Sequence, residues 1–68
     1  MSIARITEIK ASSKESFDAA ISEGIARAHK TLKNVKSAWI QSHEALVDSK
    51  GEITEYRVLM KITFILKD

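Results

Sequence analysis

The sequence predicts a small α+β domain in β-α-β-β order, and three observations carry the prediction. From Tyr56 to Leu66 every second residue is large and apolar (Tyr56, Val58, Met60, Ile62, Phe64, Leu66). That is the period of a strand with one face on a core. Between Phe17 and Leu32 the apolar residues recur instead at three- and four-residue spacing, the period of an amphipathic helix. Asp48-Ser49-Lys50-Gly51 separates two strand-like runs and suits a type I turn with glycine in the left-handed position, which closes a hairpin.

Met1 to Lys10 alternates weakly, with Ile3 and Ile9 against Ala4 and Ile6, and reads as a short first strand. Ser12 followed three residues later by Glu15 is a capping-box pattern that predicts a helix start near Ser13. The helix stripe is Phe17, Ile21, Gly24, Ile25, Ala28 and Leu32, and the small residues Ala20, Gly24 and Ala28 predict close approach to the sheet. Asn34 marks the helix stop. Two long strands follow, from about Val35 to Val47 and from Ile53 to Lys67.

These strands carry apolar groups on both faces. In the last strand Leu59 and Ile65 share the second face with Arg57, Lys61 and Thr63. In the preceding strand strict alternation puts Val35, Ser37, Trp39, Gln41 and His43 on one face, and Lys36, Ala38, Ile40, Ser42 and Glu44 on the other. A single helix covers one side only. The uncovered side predicts self-assembly first and ligand binding second, since an exposed apolar patch of this size marks an interaction surface.

Composition narrows the class. With 68 residues the chain reads as one domain, residues 1–68, in the size range where a single core supplies roughly 3–5 kcal/mol. There are no cysteines, so neither a disulfide nor a thiolate metal site is available, which fits a reducing cytoplasm. No run reaches the ~18 apolar residues of a membrane span, and the N-terminus has no signal-peptide pattern. Eleven basic residues against nine acidic ones leave a net charge of +2, too even a mixture to argue for nucleic acid. No serine sits in a nucleophile elbow, and neither glycine belongs to a phosphate-cradling motif, so the sequence predicts no enzyme. His29 and His43 read as surface histidines, with a minor ligand reading for His43 beside Trp39. Glu44, Asp48 and Glu52 gather at the hairpin as a candidate for a hard cation.

Several stretches together resemble the dodecins: Ser12-Ser13-Lys14-Glu15-Ser16, Ala19-Ala20-Ile21, Ala26-Arg27-Ala28, Lys30 to Val35, Glu55-Tyr56-Arg57-Val58, and Lys61 to Leu66. The resemblance implies a three-stranded antiparallel sheet wrapped around one helix. It also implies a hollow homododecamer that binds or stores flavin, as riboflavin or FMN. Flavin-binding members place a stacking tryptophan early in the second strand, where this chain has Ser37, with Trp39 two residues later. They place a glutamine after the third-strand tyrosine, where this chain has Arg57. A two-residue slip keeps the same face, displaced by about 7 Å, so the resemblance implies a cofactor surface built from Ser37, Trp39, Gln41 and Arg57. Some members without that tryptophan are associated with calcium. A calcium-binding or purely structural flavin-free assembly is therefore one alternative. A single-stranded nucleic-acid module using Trp39, Arg57 and Lys61 is another.

Overall fold

A computed structural model describes residues 3–66; Met1 and Ser2 of the expected first strand, Lys67 of the last, and Asp68 lie outside the described residues. The elements are β1 (Ile3–Ser13), α1 (Phe17–Leu32), β2 (Val35–Val47) and β3 (Ile53–Leu66). They form one antiparallel sheet in the order β1-β3-β2. The strand with the strongest alternation is therefore the central one, paired on both edges.

The helix begins later than the capping-box pattern predicts. β1 stays in register with β3 from Ile3↔Leu66 through to Ser13↔Tyr56, and this pairing holds Ala11 to Ser13 extended. The Ser13 hydroxyl instead accepts from the Glu15 amide at 3.0 Å. Ser16 is the N-cap, in extended backbone, and its hydroxyl accepts from the Ala19 amide at 2.9 Å, satisfying one of the unpaired first-turn donors. At the other end the stop falls as expected. Lys33 and Asn34 both have positive φ, 59° and 49°, which ends the helical path. The Lys33 amide still donates to the His29 carbonyl at 3.0 Å, and the Asn34 carbonyl accepts from the Ile65 amide at 3.1 Å.

The contact between helix and sheet is made by small residues. Ala20, Gly24 and Ala28, at four-residue spacing on one helix face, are buried against Val58, Met60 and Ile62. Phe17, Ile21, Ile25 and Leu32 flank this seam and are only partly buried. A Cβ placed on Gly24 would stand 2.7 Å from Met60 Cε and 2.9 Å from Ala11 Cβ, so glycine is what permits the close approach. The expected strand face is correct: Val58, Met60 and Ile62 are at most 1% exposed.

A 16-residue helix is about 24 Å long, whereas the 14 residues of β3 run about 46 Å. Phe17 at the helix start meets Tyr56 at 5.0 Å between ring centroids. The helix thus covers the sheet from Tyr56 toward its Leu66 end and leaves the β2–β3 hairpin as a bare arm. The arm closes as predicted: the Gly51 amide donates to the Asp48 carbonyl at 3.0 Å, and Gly51 has φ 81°. The molecule measures 53 × 18 × 13 Å with a radius of gyration of 14.0 Å, against about 11 Å for a compact chain of this length. No helix among the described residues is long and apolar enough to cross a membrane.

Candidate functional site

The sheet face away from α1 is the candidate site, and its layout follows from register. Residues paired across antiparallel strands share a face. On that face, cross-strand rows run Ile6–Thr63–Ser37, Glu8–Lys61–Trp39, Lys10–Leu59–Ser42 and Ser12–Arg57–Glu44. Trp39 is the chain's single tryptophan and is 65% exposed, with Ile6 63% exposed nearby. The Lys61 ammonium lies over the indole, 5.7 Å from its centroid, within cation–π range.

β2 does not alternate strictly, and this revises the face assignment made from the sequence. Register shifts fall between Val35 and Ser37, Ile40 and Ser42, and Leu46 and Val47. The first two insert an extra residue into β2, Lys36 and Gln41, and each reverses which parity of β2 faces the helix; the third inserts its extra residue, Thr54, into β3. Val35 pairs with Phe64 and packs toward the core, opposite to Ser37 and Trp39. Gln41 has no Cα partner on β3; it is exposed at the bulge, so alternation cannot assign it to the Trp39 face. Beyond it, Ser42 and Glu44 return to the outer face, while His43 pairs with Val58 on the helix side. His43 stacks edge-on against Phe17, with centroids 4.9 Å apart at 85°. The reading of His43 as a neighbour of Trp39 is therefore wrong, because a bulge separates them.

Arg57 lies on the outer face in the row with Glu44 and Ser12. Its Nε donates to Glu55 Oε2 at 2.9 Å, with both side chains half-buried. This hydrogen bond and the Arg57 charge hold the Glu55 carboxyl below its ordinary value. Partial burial opposes the shift, and Ser12 and Lys14 add to it. The same bond raises the Arg57 guanidinium further. Four residues of β3 separate Arg57 from Lys61, about 13 Å along the strand. Within one chain the fold brings Ser37 and Trp39 together with Lys61 and Thr63, and sets Arg57 apart. Lys61 is the neighbour that sequence reasoning left out of the cofactor set. The cross-strand register fixed by the Asp48–Gly51 turn was the signal that would have found it, had the bulges been visible.

The hairpin acids do not form a cation cage among the described residues, where no group of three or more potential His, Cys, Asp or Glu ligands occurs. Asp48 Oδ1 accepts instead from the Lys50 and Glu52 amides, at 2.8 and 3.0 Å. Its carboxylate shapes the turn.

A sequence profile of the dodecin family matches residues 3–67. The chain belongs to the dodecin family. A dodecin from Streptomyces davaonensis is 33% identical and superposes with a TM-score of 0.91, covering 98% of this chain and 97% of its own. An arginine-to-alanine variant of the Thermus thermophilus dodecin is 26% identical with the same TM-score, over the whole of both chains. The calcium dodecin of Mycobacterium tuberculosis is 28% identical over 98% of this chain and 93% of its own length. Its solved structure, described as having a novel calcium-binding site, superposes with a TM-score of 0.82 at 25% identity, covering 96% of this chain and 91% of that one. The β-α-β-β order and the antiparallel sheet around one helix are the dodecin fold.

Proposed function

We propose that this dodecin is a homo-oligomeric small-ligand-binding protein, not an enzyme, and that it takes a planar aromatic ligand of the flavin type on its outer sheet face. The observation that carries the reading is Trp39: a lone tryptophan, 65% exposed, on the face that the helix leaves uncovered. Burying what remains exposed of such a side chain, on the order of 160 Å², is worth about 4 kcal/mol at most. Stacking under a ligand or a neighbouring copy realises that energy. Ser37 and Trp39 would supply the floor, and Gln41 the polar rim. Arg57, about 13 Å from Lys61 along β3 and held by Glu55, stands outside this site within one chain.

Assembly has its own support. The accessible surface is 5147 Å², whereas a compact monomer of 7.6 kDa exposes about 4,300 Å². The excess is close to the ~800 Å² that each partner contributes to a standard interface. The family likeness favours a dodecamer.

The test is a titration with riboflavin and FMN, followed by flavin fluorescence, alongside light scattering at micromolar protein. Wild type should quench the flavin, Trp39→Ala should lose most of the quenching, and the mass should be a multiple of the chain. A folded monomer that quenches neither flavin overturns the proposal. A second reading, calcium binding, is favoured by the relative named calcium dodecin. A calcium-dependent rise in melting temperature, with no flavin quenching, selects it.

A further inference from the structure

We propose that Lys61, and not Arg57, sets the charge preference of the Trp39 surface, so that the site selects planar aromatic ligands carrying a negative group. The inference rests on the reading of Trp39 as a ligand floor and adds the class of ligand. Lys61 and Trp39 are direct cross-strand partners, a pairing fixed by backbone register and not by side-chain conformation alone. The ammonium sits 5.7 Å from the indole centroid, over a face on which a planar ring would stack. Arg57 is about 13 Å away along β3, and its Nε is engaged by Glu55 at 2.9 Å. Lys61 makes no ion pair among the described residues, although Glu8 is its partner on the β1 side.

A ring stacking on Trp39 displaces the ammonium from the indole. A neutral ligand offers it no partner of its own, so the cation–π contact is lost, and Glu8 on β1 is the only carboxylate directly across the strand from it. An anionic ligand offers a carboxylate or phosphate at its edge. A compact ammonium on a flexible four-carbon stem can swing off the ring to that group. The exchange of one partner for another makes Lys61 a specificity residue: it opposes neutral rings and retains charged ones. An exposed charge pair of this kind is worth up to about fivefold in affinity.

Two measurements on the assembled protein test this. The first compares FMN with riboflavin on wild type, Lys61→Gln, Lys61→Met and Arg57→Gln. Wild type and Arg57→Gln should favour FMN by roughly fivefold, and both Lys61 variants should bind the two flavins within about twofold. An FMN preference that survives in the Lys61 variants, or that vanishes in Arg57→Gln, overturns the inference. The second measurement needs no ligand. Trp39 is the only tryptophan, so its emission reports the local charge through quenching by iodide against caesium. Iodide should quench wild type and Arg57→Gln more strongly than caesium, and Lys61→Met should narrow that gap. If flavin fails to bind, the ligand reading falls while this second measurement still decides the role of Lys61. An unchanged iodide-to-caesium ratio in folded Lys61→Met and Lys61→Gln overturns it.

Discussion

Gly24→Ala places one methyl group at the tightest point of the fold. The added Cβ would lie 2.7 Å from Met60 Cε and 2.9 Å from Ala11 Cβ, where ordinary carbon contacts sit near 3.5–4.0 Å. The two neighbours differ in kind. Met60 ends in a flexible thioether that can rotate away, but Ala11 Cβ is fixed to the β1 backbone, which pairs with Val58. Relief there requires α1 and β1 to separate, which loosens the seam of Ala20 and Ala28 as well. Overpacking of this sort costs about 1–3 kcal/mol. Alanine in a helix interior returns about 1 kcal/mol relative to glycine. The overpacking wins because a backbone-anchored contact cannot relax locally, leaving a net loss of up to about 2 kcal/mol. For a domain of this size that lowers the melting temperature by up to roughly 16 °C.

The assay is thermal unfolding by circular dichroism at one fixed protein concentration, since assembly of the kind proposed would make the midpoint depend on concentration. A second variant, Gly24→Ala with Ala11→Gly, separates the two contributions. Removing the Ala11 methyl should recover part of the loss, because the clash that Met60 can avoid is the only one left. A higher melting temperature for Gly24→Ala would show that helix propensity dominates and that the seam is not close-packed. No recovery in the double variant would place the strain elsewhere.

Met60→Ala should cost about 2–5 kcal/mol, since Met60 is fully buried at the centre of the seam, and denaturant titration of the variant measures it. Lys33→Gly should raise the melting temperature, because Lys33 holds φ 59° with ψ 162°, a region that favours glycine and costs other residues on the order of 1–3 kcal/mol; a lower midpoint would refute that strain. Glu55→Gln should reduce stability at neutral pH, and its deficit against wild type should shrink as pH falls below 4.5, the ordinary value for this carboxyl. The folded-state shift is downward, so the contribution is present above that value and is lost as the pH drops through the folded value. Thermal melts of both proteins from pH 7 to pH 3 check the direction.

The fold was legible because the periods are clean. Val58, Met60 and Ile62 alternate without interruption, and Ala20, Gly24 and Ala28 by their spacing alone announce a close helix. The helix start was misplaced by a stronger non-local effect: pairing with β3 keeps Ala11 to Ser13 extended, and Ser16 takes the capping role that Ser12 and Glu15 advertise. The site is less legible, since the faces of Ser37, Trp39, Gln41 and His43 follow from the sequence only if the period of two is unbroken. A bulge is invisible to that period. It depends on what lies across the ladder, and nothing in the local sequence Trp39-Ile40-Gln41-Ser42 marks which residue will lose its partner.

The bulge at Gln41 also decides which side chains of β2 share the outer face. Without it, the alternation that places Ile40 against Met60 would send His43 outward, beside Trp39, and Ser42 and Glu44 inward toward Phe17. With it, His43 reaches Phe17 on the helix side, and Glu44 comes to lie opposite Arg57. The outer face is thereby divided along its length. One half holds Trp39, Lys61, Glu8 and Ile6, exposed apolar surface with one cation and one anion. The other holds Arg57, Glu55, Glu44, Lys10 and Ser12, charges largely answered by opposite charges. An aromatic ligand would gain most on the first half, where it removes exposed apolar area. The second half has little to offer such a ligand because its strongest donor, Arg57, is already held by Glu55. Its paired charges suit instead a contact between copies, in which ion pairs fix register more than they add affinity. The one-residue insertion in β2 therefore keeps the exposed Trp39 surface and the polar seam side by side on a single face, while the opposite face remains continuous enough to pack one helix.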